Sequence, residues 1–315
     1  MPTRVLVDVA LPDEIMAMFS PDWQVEIWPS DPSALEQALD DTVAIFTYGH
    51  PKVDGALMDK APRLKVISNF GVGVDHIDLA AARERGIPVG NTPNVLDGAT
   101  ADMTFALLLA SARNIVIGDR FARSPAFTHY DPKLLLGREV HGATIGIVGM
   151  GNIGRQVAQR ARGFDMRVLY HNRRRDLAAE ASLGAAYASL PELLRESDYV
   201  TLNVPLSAET RGMIGRAELR QMKPTATLIN AARGGVIDHD ALVEALAGGW
   251  IAGAALDVTE PEPLPRDHPL LRMESVVIAP HLGSATRETR LSMARGSVEN
   301  LRAGLLGHEL PTRVG

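Results

Sequence analysis

The chain has 315 residues, enough for about two domains with substantial cores. Its 46% apolar and 22% charged residues are ordinary for a globular protein, and a net charge of −6 disfavours nucleic acid as principal partner. There is no cysteine, which excludes disulfides, thiolate zinc sites, iron–sulfur clusters and cysteine nucleophiles together.

The apolar run after Met1-Pro2-Thr3-Arg4 stops at Asp8, too short for the core of a signal peptide. Short β-branched runs predict strands at 5–7, 25–28, 44–47, 65–68 and 88–89, with helical stretches between them. A long Ala- and Leu-rich helix follows over 99–121, started by Asp97-Gly98. Its most apolar part, 103–118, is broken by Arg113 and Asn114. No stretch of the chain reaches the roughly 18 uncharged apolar residues of a membrane span. A second strand series occupies 144–148, 167–170, 199–202, 227–230, 254–256 and 276–278, and a long helical pattern covers 282–306. Strands alternating with helices imply right-handed crossovers and parallel sheets covered on both faces. The expected class is therefore α/β, with two doubly wound parallel-sheet domains. No linker separates them, and the tail 308–315 is too short for a domain of its own. The second domain (99–289) is accordingly read as inserted into the first (1–98 and 290–315). A cytoplasmic protein with no membrane partner is expected.

Gly149-Met150-Gly151-Asn152-Ile153-Gly154 follows the strand at 144–148 and opens a helical run at 156–162. A G-x-G-x-x-G is weak alone, but strand–turn–helix is the context that a dinucleotide pyrophosphate needs. The first glycine permits the tight turn, the second lets the backbone approach the phosphates, and the third lets helix pack on strand. This marks 99–289 as a Rossmann-type NAD(P)-binding domain. After the next strand, an NAD enzyme usually offers Asp or Glu to the adenosine ribose. Here the chain reads His171-Asn172-Arg173-Arg174-Arg175. Neutral Asn172 removes a carboxylate that would repel a 2′-phosphate, and Arg173 and Arg174 supply fork-shaped donors for it. NADP(H) is the preferred cofactor on this reading, with NAD(H) the second candidate.

Three further motifs end strands of the second series, where ligands gather in such sheets. Asn230-Ala231-Ala232-Arg233-Gly234-Gly235 sets Arg233 among glycines, suited to hold a substrate carboxylate and polarise a carbonyl. The next motif offers three carboxylates, Asp257, Glu260 and Glu262, and His281 directly follows a later strand. A histidine paired with a carboxylate is an acid/base unit, because the carboxylate raises its pKa and orients the ring. By chemistry alone, Glu260 and Glu262 are rivals for that pairing. None of the other histidines shows metal-ligand spacing, so no metal site is expected.

Gly71-Val72-Gly73-Val74-Asp75-His76-Ile77-Asp78, Thr92-Pro93-Asn94-Val95 and the motifs at 149–154, 230–235, 256–263 and 280–285 together carry a resemblance. Over nearly its whole length the chain resembles the D-isomer-specific 2-hydroxyacid dehydrogenases. Within that family it is most similar to the glyoxylate/hydroxypyruvate reductases, at 255–271 and 283–286. The resemblance implies a Rossmann cofactor domain inserted into a flavodoxin-like substrate domain, and a homodimer built across the cofactor domain. It implies that Arg233 binds a small 2-oxo acid and that His281 protonates the ketone oxygen as hydride arrives. Glu262, and not Glu260, is then the partner of the histidine. The backbone of Val72 and Gly73 holds the substrate carboxylate on the same grounds. Asp257 is placed near the nicotinamide, while Val204, Pro205, Thr210, Ala231 and Gly283 line the cofactor. The implied reaction is direct hydride transfer from NADPH, taking glyoxylate to glycolate and hydroxypyruvate to D-glycerate.

Departures narrow the reading. Formate dehydrogenases have glutamine at the place of Glu262, and phosphite dehydrogenases have lysine at that of Val72. The tryptophans of many reductases are missing from Phe127-Thr128-His129-Tyr130. A broader 2-ketoacid reductase, with a pocket set by Tyr48, Phe70 and Leu96, is the second reading. A dinucleotide-sensing regulatory protein of the same fold is a remote third.

Overall fold

The computed structural model describes residues 3–49 and 51–314; Met1 and Pro2, His50 and Gly315 lie outside the described residues. The chain divides into two compact units, Met1–Leu96 with Thr286–Gly315, and Asp97–Ala285.

In the first unit, β1 (Thr3–Val7), β2 (Trp23–Ile27), β3 (Thr42–Thr47), β4 (Val66–Asn69) and β5 (Val89–Gly90) are parallel neighbours in the order β2-β1-β3-β4-β5. This is the flavodoxin-like order. Every residue of β3 and β4 is buried, as expected of central strands covered on both faces.

The second unit holds β6 (Thr144–Val148), β7 (Arg167–His171), β8 (Ala186–Tyr187), β9 (Tyr199–Leu202), β10 (Thr227–Asn230), β11 (Gly253–Leu256) and β12 (Val276–Ile278). They run in the order β12-β11-β10-β9-β6-β7-β8. The order reverses between β6 and β9, the switch point at which a Rossmann sheet receives its dinucleotide. Alternate residues of a strand face opposite sides. Leu202, Leu228 and Leu256 therefore pack in one core, and Ile145, Ile147 and Ile229 in another. The loops leaving β6, β7, β9, β10, β11 and β12 carry Gly149, Asn172, Val204, Ala231, Asp257 and His281 in turn.

Several elements differ from expectation. The helix read over 99–121 is two helices, Asp97–Ala112 and Ile115–Ala122, bent by 60°. Asn114 between them takes a left-handed φ of 53°, which asparagine tolerates, and its amide donates to the Leu135 carbonyl at 3.3 Å. The last helix is Arg287–Leu305, capped by Thr286, and 282–285 stay outside it. There the buried Asp257 carboxylate captures the N–H groups of Leu282 and Gly283. The sequence pattern shows neither β8 nor β13 (Arg313–Val314), since two-residue strands have no periodicity to read. The latter pairs antiparallel with β5, giving the otherwise parallel first sheet a mixed edge. No single helix among the described residues is long and apolar enough to cross a membrane.

Candidate active site

β6 delivers the chain into Gly149 at φ 101°, where a Cβ would stand 2.7 Å from the Asn203 carbonyl oxygen. The turn therefore needs glycine, and it lies against the loop that carries Val204. A Cβ on Gly154 would come within 2.1 Å of the Gly149 oxygen, so helix Asn152–Arg162 presses on the turn. Gly151 is different. Nothing lies within 4 Å of its Cβ position, and no side chain caps the helix that it starts, leaving the backbone open to approach. The Met150 N–H donates to Asn172 Oδ1 at 2.8 Å, tying the turn to the end of β7. An open glycine backbone at a helix N-terminus fits a dinucleotide pyrophosphate. Beyond Asn172, Arg175 is held by both carboxylate oxygens of Glu180. Arg173 and Arg174 are exposed, with no hydrogen bond or ion pair among the described residues. Thr210 donates to the Pro205 carbonyl at 2.6 Å and accepts from the Ser207 N–H at 2.8 Å, closing that loop on itself.

β10 ends in fully buried Asn230, whose amide donates to the Arg233 carbonyl at 2.9 Å while its Oδ1 accepts from the Ala232 N–H at 3.0 Å. These bonds close the turn that presents Arg233. A Cβ on the next residue, Gly234, would meet the Thr259 carbonyl at 2.1 Å, so the loop after β11 packs directly on the arginine turn.

His281 sits at φ 56°, a left-handed conformation that costs a non-glycine residue about 1–2 kcal/mol. Asp257 holds it there. This aspartate is 1% exposed, and its carboxylate accepts from the N–H of Leu282 at 2.6 Å and of Gly283 at 2.7 Å. Its own carbonyl accepts from the His281 N–H at 2.8 Å. Burial pushes the Asp257 pKa up, and the two donated N–H groups oppose that rise. Sequence reasoning reached Asp257 but not this grip on the histidine turn.

The His281 ring donates from Nδ1 to Glu262 Oε1 at 2.7 Å, and Nε2 has no hydrogen-bond partner among the described residues. Burial opposes ionisation of Glu262, but the His281 ring and, more weakly, the Arg233 charge outweigh it, and the carboxyl sits below its ordinary range. Arg233 and His281 thus both act on Glu262. Glu260 does not join them; its carboxylate accepts from Arg211 at 2.7 Å.

In the first unit, the Asn69 amide donates to the carbonyls of Gly71 at 2.7 Å and Gly73 at 2.9 Å, and Asn91 donates to that of Val72 at 2.9 Å. The carbonyls are thereby fixed, while the N–H groups of Val72 and Gly73 find no acceptor among the described residues. Two neighbouring N–H groups without acceptors are donors that an anion can take up. Sequence reasoning missed both asparagines. The available signal was an asparagine closing a buried strand, as Asn69 does for β4 and Asn230 for β10. Tyr48 stacks on Phe70 with ring centroids 4.1 Å apart. Phe127 and Tyr130 are exposed. Among the described residues, no three His, Asp or Glu side chains gather as a metal site.

The family profile described as D-isomer specific 2-hydroxyacid dehydrogenase, NAD binding domain, matches residues 105–283. A glyoxylate reductase of Pyrococcus furiosus is 46% identical over 100% of this chain and 96% of its own. Among solved structures, a Thermus thermophilus protein aligns at 46% identity and TM-score 0.91, over 99% of this chain and 100% of that one. An NADPH-dependent glyoxylate/hydroxypyruvate reductase of Sinorhizobium meliloti, solved with NADP and malonate, is 31% identical with TM-score 0.90. It is matched over 100% of this chain and 97% of that one.

Proposed function

The chain belongs to the D-isomer-specific 2-hydroxyacid dehydrogenases, and from that premise we propose an NADPH-dependent reductase of glyoxylate and hydroxypyruvate. Membership makes it an oxidoreductase that uses a nicotinamide dinucleotide on small 2-oxo or 2-hydroxy acids. The observation that carries the finer reading is the 2.7 Å pairing of His281 with Glu262, on whose carboxylate the Arg233 charge also acts.

The dinucleotide, when bound, supplies the hydride. Gly149, Met150, Gly151, Asn152, Ile153 and Gly154 hold its pyrophosphate, and Arg173 and Arg174 take the 2′-phosphate beside neutral Asn172. Val204, Pro205, Thr210, Ala231 and Gly283 line the remainder. The N–H groups of Val72 and Gly73 bind the substrate carboxylate, and Arg233 stabilises negative charge developing on the ketone oxygen. Glu262 orients the His281 ring through Nδ1, so the proton delivered to that oxygen leaves from Nε2. A homodimer belongs to the same reading, and sedimentation should return twice the chain mass.

Steady-state turnover of glyoxylate and hydroxypyruvate with NADPH and with NADH tests the proposal. Both acids should be reduced, with the higher kcat/KM on NADPH. Arg173→Ala combined with Arg174→Ala should lower the NADPH-to-NADH ratio about tenfold or more, since each removes charge-assisted bonds to one phosphate. Inactivity on both acids overturns the substrate reading, and an unchanged ratio overturns the phosphate site.

A further inference from the structure

Glu260 stands two residues before Glu262, and its contacts are all away from the histidine. Its carboxylate accepts from Arg211 and rests against Gly235, where a Cβ would come within 2.0 Å of Glu260 Oε2. Its N–H points at His239 Nε2 at a long 3.4 Å. His239 Nδ1 lies 3.2 Å from the Ile237 carbonyl, so the neutral tautomer assigned with its proton on Nδ1 satisfies both contacts. Arg211 is itself secured, its N–H donating to the Ser207 carbonyl at 3.0 Å, with the Gly212 N–H on the Gly235 carbonyl at 2.8 Å. The neighbouring Thr259 backbone lies on Gly234, and its hydroxyl donates to the Pro261 carbonyl at 2.9 Å. Glu262, by contrast, is weakly tethered. Apart from His281, it accepts among the described residues only a long 3.4 Å bond from the Thr259 N–H.

A carboxylate so placed needs its loop fixed from elsewhere, because a shift of about 1 Å in an acid/base group can cost on the order of 10²-fold in rate. We propose that Glu260, clamped by Arg211 and backed by His239, is the positioning residue that holds Glu262 against the His281 ring. For its activity readout this rests on the reductase reading; for its structural readout it does not.

Arg211→Met is the decisive variant, since it separates positioning from simple electrostatics. Loss of a nearby cation, acting through space, raises a histidine's pKa; loss of a well-placed carboxylate lowers it. Histidine NMR titration of the ligand-free protein reads this directly, with the His281 signal assigned from His281→Gln. Asp257 and Arg233, the other charged groups around the pair, are unchanged in the variant. The expected result is a His281 midpoint lower by about half a unit in Arg211→Met, and lower again in Glu260→Gln. Exposed ion pairs are weak tethers, so kcat on the 2-oxo acid should fall only about three- to tenfold, with KM for the dinucleotide unchanged. The charge exchange Arg211→Glu with Glu260→Arg should restore at least half of the loss. A His281 midpoint that rises or stays put in Arg211→Met overturns the positioning role, whatever the substrate. A lowered midpoint in a protein inactive on every 2-oxo acid upholds the role and overturns the reductase reading instead.

Discussion

Glu260 and Glu262 have the same chemistry and differ by two positions, yet only the carboxylate of Glu262 meets the ring of His281. Its pKa is lowered in the folded chain, so its ionised form is favoured there. That stabilisation is fully present above the ordinary value of 4.5 and is lost as pH falls through the lower folded value. Glu262→Gln should therefore flatten the acid limb of stability, followed by urea unfolding between about pH 5 and pH 3. It should also reduce kcat on the order of 10²-fold, because the ring loses the group that orients it. A kcat within about twofold of wild type would remove Glu262 from the machinery. At this scale the motifs were legible because arginine, histidine and carboxylates stand at strand ends. Asn69 carried only the weaker signal of an asparagine closing a buried strand, and Asn91 carried none, since nothing local in a sequence says that its amide will reach back to the Val72 carbonyl.

Among the elements, the strand–turn–helix at Gly149 separates fold from function glycine by glycine. Gly154→Ala forces a Cβ onto the backbone oxygen of Gly149, and overpacking of that kind costs about 1–3 kcal/mol. Its thermal midpoint should fall by several degrees in a scanning experiment. Gly151→Ala meets nothing within 4 Å and has an ordinary φ of −80°, so its midpoint should match wild type. Its dinucleotide affinity should nonetheless fall about tenfold or more in a calorimetric titration, because the methyl group occupies the path to the pyrophosphate. Unchanged affinity would mean that the cofactor does not approach there. The strands at 144–148, 199–202, 227–230 and 276–278 were readable to the residue, each an apolar run between breakers. The helix break at Asn114 was not. Apolar residues continue on both sides of it, and the loop packed there leaves only 2.4 Å between a Gly137 Cβ and the Ala112 carbonyl.

Across the whole molecule, each unit holds a tyrosine that strongly resists ionisation, partly buried in the first and buried in the second. Burial pushes the hydroxyls of Tyr48 in the first unit and Tyr199 in the second up to about 12. A raised tyrosine stabilises the folded chain below the ordinary value of 10.0, and that contribution is lost as pH rises toward 12. Denaturant unfolding should therefore show stability declining across that window. Tyr199→Phe, which also gives up a 3.0 Å bond to the Glu139 carbonyl, should show a shallower decline. A decline as steep as that of wild type would contradict this. The sequence by itself determined the α/β class, the two sheets and the motifs at their strand ends, because periodicity and glycine punctuation are local signals. Only the tertiary structure decided that His281 meets Glu262 across 19 positions and that Asp257 grips Leu282 across 25. It alone left the N–H groups of Val72 and Gly73 without acceptors among the described residues. Such pairings depend on where crossovers and loops bring distant residues, and on which polar groups remain unsatisfied there, which no local pattern encodes.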